Sequence, residues 1–390
     1  MKILYNIAGT RHSGGMERVL TNKANWLARH GYAVTIVTTD QHGEPPFFAL
    51  DDKVLQIDLG IGYEDNNGKG LLNKLVHYPG KQRRHKKRLT QILKREKPDI
   101  CISMFCNEVS FITKLRDGSK KVLEIHFSKK KRLQYGRKGL WRIADKLRSI
   151  NDERLVRKFR HFIVLTEEDK TLWGSLPNIR VIPNANTFTP KLTSSLDEKK
   201  VIAVGRYTHQ KGFERLIKAW AIVHKTNPDW KLEIIGDGEE RQMLLQFIFD
   251  LGLSDCISLK PFTADMNSVY LGASIIAMSS RYEGLPMTLI ESQAYGIPAV
   301  SFDCQCGPKD IINDGANGFL VPEGDCTSLA NRLCQLIEYE NLRKQMGAAA
   351  KLASKRYDEE AIMNQWEVST VTQALQLLKD MSGFKMESGK

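Results

Sequence analysis

Residues 275–300 read IIAMSSRYEGLPMTLIESQAYGIPAV. The apolar run 275–279 predicts a buried strand, the following polar residues a tight loop, and 287–295 a helix. Two glutamates stand eight positions apart, Glu283 in the loop and Glu291 inside the helix. Pro286 is expected at the first helical position, where its missing N–H would have no partner anyway. The amides of Leu285 and Met287 then face the open end of the strand, backed by the positive end of the helix dipole. Such an arrangement binds anions, phosphate above all. A carboxylate beside an anion needs another task, and an ionised carboxylate accepts hydrogen bonds, so hydroxyl groups are its natural partners. Phosphate flanked by hydroxyls describes a nucleotide sugar.

Working outward, short apolar strands alternate with helical stretches along the whole chain. Strands are expected at 2–7, 33–39, 54–58, 99–103, 121–126, 161–165 and 179–182. Helices are expected at 16–30, 70–97, 107–116, 137–158 and 167–175. The second half predicts strands at 201–205, 231–235, 256–260, 275–279, 298–302 and 318–321, with helices at 212–226, 239–251, 287–295, 325–339 and 340–355. This pattern implies an α/β protein with two doubly wound parallel sheets, ligands binding at the carboxyl ends of the strands. The polar, aperiodic stretch Asn184–Lys200 suggests the boundary: a first domain 1–184, a second 185–356, and a segment 357–390 whose amphipathic part could pack back on the first domain.

The 390 residues suffice for two such cores, and 42% hydrophobic with 26% charged residues is a soluble, globular composition. No apolar run approaches the ~18 residues of a membrane-spanning helix, and MKILYNIAGT lacks a signal-peptide pattern. The seven cysteines are scattered without a CxxC pair; only Cys304 and Cys306 are close, and no histidine cluster accompanies them. Reduced thiols in a cytoplasmic protein fit better than zinc. Charge divides unevenly. Residues 1–196 carry 37 Lys and Arg against 19 Asp and Glu, the remainder 21 against 26. The positive charge concentrates in Lys81–Arg88 (KQRRHKKR) and Lys129–Arg160. A solvated helix face, an anionic membrane surface, a pyrophosphate-bearing acceptor and nucleic acid are the candidate readings.

Other strand ends add chemistry. Gly9-Thr-Arg-His-Ser-Gly-Gly15 joins the first strand to a helix, and adjacent glycines let backbone approach a ligand. It is not the GxGxxG fingerprint, which speaks against NAD. In VGRYTHQKGFERLIKAW (204–220), Arg206 and Lys211 are placed to neutralise a diphosphate, Arg as a planar fork and Lys as a point charge. His126 ends the strand in LEIHFSK. Gly236-Asp-Gly238 follows another strand and serves either a nucleotide or a plain turn. No Asp-x-Asp pair is present to hold a metal on the diphosphate, so no metal and no cofactor are expected.

SGGMERVL, the IHF of 125–127, VGR-x4-KGFERLIKAW, GDGEER and EGLPMTLIESQAYGIPAV together resemble family 4 glycosyltransferases, in order and across nearly the whole chain. The resemblance implies the GT-B fold, two Rossmann-like domains facing a central cleft, and a retaining, metal-independent hexosyltransferase. It implies that Arg206 and Lys211 hold the donor diphosphate and Glu291 the ribose hydroxyls. Glu283 and the amides after it, of Gly284, Leu285 and Met287, would hold the transferred sugar, with His126 near its reactive face. Gly14 and Gly15 would lie against the phosphate. The implied catalytic set is His126, Arg206, Lys211 and Glu283. The donor would be a nucleoside-diphosphate hexose or N-acetylhexosamine, UDP by family habit. The acceptor would be a polyprenyl-pyrophosphate-linked glycan, met by a cytoplasmic enzyme peripheral on the inner leaflet. PNANT (183–187) departs from the PNGVD of many members. The alternatives are a nucleotide-sugar epimerase of the same architecture and a non-enzymatic basic protein binding membrane or nucleic acid. Nucleic acid is not expected, since no recognised module is visible.

Overall fold

The computed structural model describes residues 1–66, 71–130, 140–263 and 265–367. The chain divides into two compact units, Met1–Val181 and Ile182–Lys390. In the first, strands β1 (Lys2–Ile7), β2 (Ala33–Thr38), β3 (Leu55–Asp58), β4 (Ile100–Ser103), β5 (Lys120–Glu124), β6 (His161–Val164) and β7 (Ile179–Val181) form one sheet of order β3-β2-β1-β4-β5-β6-β7. Helices α1 (Gly15–Arg29), α2 (Leu71–Glu96), α3 (Leu140–Val156) and α4 (Glu167–Trp173) connect them. Every strand pair is parallel. Consecutive buried residues along β1, β2 and β4 show that both sheet faces are covered, which is why these strands read as apolar runs rather than alternating ones.

The second unit repeats the plan with six parallel strands. They are β8 (Lys200–Val204), β9 (Lys231–Ile235), β10 (Ile257–Lys260), β11 (Ile275–Met278), β12 (Ala299–Asp303) and β13 (Gly318–Pro322), in the order β10-β9-β8-β11-β12-β13. Its helices are α5 (Phe213–Thr226), α6 (Arg241–Asp250), α7 (Met266–Leu271), α8 (Met287–Ala294), α9 (Pro308–Ile311), α10 (Cys326–Glu338), α11 (Glu340–Ser354) and α12 (Glu359–Glu367). A core around Trp220, Leu232, Ile275 and Phe302 fills the space between sheet and helices. In each sheet the strand order reverses once, between β1 and β4 and between β8 and β11. In open sheets of this kind the carboxyl ends of the strands at such a reversal are where ligands bind.

All thirteen expected strands are present. The helix expected over 107–116 is instead two 3-10 turns, Asn107–Ser110 and Ile112–Lys114. Glu108 turns its carboxylate inward to the Ser103 hydroxyl and to the amides of Cys106 and Glu108, closing the first turn early. Two short helices escaped the sequence reading, α7 capped by the Asp265 carboxylate on the Ser268 amide at 3.1 Å, and α9 opened by Pro308. The unit boundary falls at 181/182 rather than 184/185. Residues 131–139, within the stretch expected to begin a helix at 137, and the final part of 357–390 beyond Glu367 lie outside the described residues. The Asn186 amide donates to the Tyr357 carbonyl at 2.7 Å, tying the start of α12 to the first residues of the second unit.

Candidate functional site

The loops after β8 and β11, the two strands at the reversal, are stitched to each other by named bonds. The Gln210 side-chain amide donates to the Tyr282 carbonyl at 3.0 Å, the Arg281 amide to the Gln210 carbonyl at 2.8 Å, and the Ser279 hydroxyl to the Lys211 carbonyl at 3.0 Å. Gly212 begins α5 in the left-handed region at φ 60°, and a Cβ there would lie 2.7 Å from the Ser279 carbonyl oxygen. Only glycine fits such an approach. On this frame the Lys211 stem lies across Gly205, and its ammonium donates to Glu283 Oε1 at 2.8 Å. The Ser280 hydroxyl donates to the same oxygen at 2.6 Å, and no described residue donates to Oε2. Glu283 is buried, so its charge is met by Lys211 rather than by water.

Arg206 stands differently. It is exposed, with no ion pair or hydrogen bond from its side chain among the described residues. Its neighbour Tyr207 is the anchor: fully buried, its hydroxyl reaches the carbonyl oxygens of Ile234 at 2.9 Å and Lys260 at 2.6 Å. The glycines of Gly236-Asp-Gly238 serve this loop. A Cβ at Gly236 would lie 1.9 Å from the Gly205 carbonyl oxygen, and one at Gly238 2.5 Å from that of Tyr207. The two glycines therefore admit the 205–207 backbone.

Pro286 is the cap of α8 rather than its first helical residue. Its ψ of 97° is extended, and its carbonyl accepts from the Leu289 amide at 3.1 Å. The amides of Gly284, Leu285 and Met287 make no backbone hydrogen bond among the described residues, so the expected donors remain available at the helix start. Glu291 lies deeper and is buried. Its Oε2 accepts from the Tyr270 hydroxyl at 2.7 Å, and its Oε1 from the Thr187 hydroxyl. Both hydroxyl partners belong to the protein rather than to a ribose. The departing PNANT segment supplies them in part, because Thr187 ends it and the Asn184 amide reaches Met287 Sδ at 3.7 Å.

In the first unit, Gly14 caps α1, and its carbonyl accepts from the Arg18 amide at 3.1 Å. A Cβ on Gly15 would meet nothing within 4 Å, so the chain leaves that space open. Glu17, one turn further, lies within electrostatic reach of His126, which places the glycine loop and the histidine at one end of the sheet. His126 Nε2 is 3.1 Å from Glu124 Oε1, off the line of a well-formed hydrogen bond, and neither ring nitrogen has an aligned partner among the described residues. Glu124 is bound through both oxygens by Lys23, at 2.6 and 2.7 Å. Burial would raise the Glu124 carboxyl, but Lys23 and His126 outweigh it and hold the group at about 2. Sequence reasoning missed Lys23 and Glu124. The signal was a carboxylate inside VLEIHF, since a charge in a strand covered on both faces demands a partner.

Cys304 and Cys306 are buried thiols, and among the described residues no three His, Cys, Asp or Glu gather as metal ligands. Of the basic run 81–88, Lys81 donates to the Gly62 carbonyl and Arg88 to the carbonyls of Leu59 and Gly60. Arg83, Arg84, Lys86 and Lys87 are exposed.

Residues 13–185 match the family described as Glycosyltransferase Family 4, and residues 184–353 the family described as Glycosyl transferases group 1. An uncharacterized glycosyltransferase of Haemophilus influenzae is 31% identical over 94% of this chain and 99% of its own. The amylovoran biosynthesis glycosyltransferase AmsD of Erwinia amylovora is 32% identical over 94% and 98%. A Campylobacter jejuni alpha-1,4-N-acetyl-D-galactosaminyltransferase, named for an undecaprenol-diphosphate-linked glycan, is 28% identical over 94% and 97%. Among solved structures, sucrose-phosphate synthase from Thermosynechococcus elongatus superposes with a TM-score of 0.80 at 18% identity, covering 97% of this chain and 99% of that one. The Anabaena protein HepE, solved in complex with UDP and glucose, superposes with a TM-score of 0.71 at 19% identity, covering 96% and 100%.

Proposed function

The chain belongs to the family 4 glycosyltransferases and has their GT-B fold, and from that premise we propose that it moves a hexose or N-acetylhexosamine from a UDP-sugar to a lipid-linked glycan in bacterial polysaccharide assembly. The observation that carries the reading is the Lys211–Glu283 pair at the reversal of the second sheet, with the exposed Arg206 on the same loop as Lys211. A leaving diphosphate develops charge as its bond to the sugar breaks, and prearranged donors aimed at that charge accelerate the step. Arg206 supplies a planar fork and Lys211 a point charge, while the amides of Gly284, Leu285 and Met287 with the α8 dipole supply the rest. These groups take the neutralising role that a metal holds elsewhere. Glu283, fixed through Oε1, keeps Oε2 for the hydroxyls of the transferred sugar. Glu291 orders the ribose side of the site through its bonded hydroxyls.

Since Glu283 is paired with Lys211, it is a poor nucleophile, and we place the incoming acceptor hydroxyl on the face the diphosphate leaves. Stereochemistry is then retained, with the departing phosphate taking the acceptor's proton. The UDP choice draws on HepE, and the lipid-linked acceptor on the Campylobacter relative. Role in a surface polysaccharide draws on AmsD. Among the described residues no helix is long and apolar enough to cross a membrane, and we place the enzyme on the cytoplasmic leaflet through its basic first half. A panel of UDP- and GDP-sugars tests the donor by thermal shift, followed by transfer to a lipid-linked acceptor. The native donor at ~100-fold excess over its dissociation constant should stabilise by about 2.7 kcal/mol. If no nucleotide sugar moves the melting temperature, the donor reading is wrong.

A further inference from the structure

Helix α3 wears its apolar residues on the outside. Ile143, Leu147 and Ile150 recur at i, i+4 and i+7 and are 56%, 62% and 49% exposed. At 100° per residue they share one stripe, while Asp145 and Val156, both buried, lie on the opposite side. The stripe therefore points away from its own domain. Among the described residues the exposed charges of the helix are all basic: Lys146 and Arg154 lie nearest the stripe, Arg142 on its flank, and Arg148 on the far side. The acids are turned inward or paired. Asp145 is buried, Asp152 half-buried, and Glu153 holds Lys129 Nζ at 2.6 Å. Arg148, on the other side of the helix, lies within electrostatic reach of the Tyr78 hydroxyl of α2.

We propose that this face lies on an anionic lipid bilayer, with Ile143, Leu147 and Ile150 at the headgroup–acyl boundary and Arg142, Lys146 and Arg154 against lipid phosphates. An apolar stripe flanked by cations, with its one flanking acid, Glu153, already paired to Lys129, is the composition of a helix lying in the interface plane. A second copy of this chain would set the same cations against one another, and a nucleic-acid backbone has no use for three aliphatic side chains. The proposal builds on the peripheral placement inferred above and names its contact face; it does not depend on which donor is used.

The test is co-sedimentation of the full-length protein with phosphatidylcholine vesicles, with and without phosphatidylglycerol. Binding is expected only to the anionic vesicles and should weaken as salt rises, because exposed charges are screened. I143S/L147S/I150S should lower the partition coefficient about ten-fold or more at equal salt and leave the melting temperature unchanged. R142Q/K146Q/R154Q should flatten the salt dependence. Unchanged sedimentation of the serine variant overturns the proposal. So does a wild-type dimer that those substitutions split, since the stripe would then join copies of the chain. Calorimetry with UDP separates the two readings: all variants should bind UDP as the wild type does. A wild type that binds vesicles but not UDP sinks the donor assignment alone.

Discussion

Lys23 grips both oxygens of Glu124, at 2.6 and 2.7 Å, and Glu124 Oε1 in turn lies 3.1 Å from His126 Nε2. Burial alone lowers the Lys23 ammonium and raises the Glu124 carboxyl, so neither charge would survive there without the other. Removing one partner strands a buried charge, whereas replacing both by apolar groups of similar volume is often tolerated.

Lys23→Met is therefore expected to destabilise by about 3–5 kcal/mol, with Lys23→Met/Glu124→Leu recovering most of the loss. If the pair also holds His126 in place, the recovered double variant stays slow. Its kcat should fall, while KM for the donor stays close to wild type. Unfolding curves and steady-state kinetics on the same samples decide. A double variant that is both stable and fully active would leave the pair a purely structural feature.

Arg206 and Lys211 should separate on stability and converge on turnover. Arg206 has no partner to lose, so Arg206→Ala should melt like the wild type yet lose ~10²–10³ in turnover as one transition-state donor disappears. Lys211→Ala removes the counter-charge of buried Glu283 and should lower both turnover and melting temperature. Near-normal turnover in a folded Arg206→Ala protein, with donor saturating, would remove the diphosphate role.

Much of this was legible before the fold was known. Most of the thirteen strands announced themselves because both of their faces are covered, which forces an apolar run; β3 at the sheet edge, with Leu55 46% exposed, and β7 are the exceptions. Lys211 and Glu283 could be placed at neighbouring strand ends from topology alone. What the sequence hid was pairing across distance. Glu291 meets Tyr270 and Thr187, 21 and 104 positions away, and nothing local in those residues marks them. The 107–116 segment failed for a similar reason. Its helical look gave way to a buried Glu108 whose partner Ser103 ends the previous strand.

The two carboxylates of the donor loop should part company in binding. Glu291→Gln keeps an oxygen to accept one hydroxyl but not two, and should weaken binding of UDP alone. Glu283→Gln should leave UDP binding almost unchanged and impair sugar transfer. Calorimetry with UDP measures the first and steady-state transfer the second. Equal losses of UDP affinity would contradict the division of ribose and sugar between them.

Glu108 gives a pH signature with a definite sign. Burial raises its carboxyl to about 7, with the Ser103 hydroxyl and two amides pulling the other way. In the unfolded chain a glutamate titrates near ~4.3. Between those values the folded state holds the proton that the unfolded state releases, so stability is greatest below the unfolded value, falls as pH rises through the window, and levels off above about 7. The shift corresponds to roughly 3–4 kcal/mol. Glu108→Gln has no such titration and keeps an acceptor for Ser103. Its stability relative to wild type should therefore climb by up to about 3 kcal/mol between pH 4 and pH 8. Denaturant midpoints of the two proteins across that range measure the effect. Parallel pH profiles would mean that the carboxyl ionises without penalty in the folded state, and that the turn at 107–110 is not closed by a protonated Glu108.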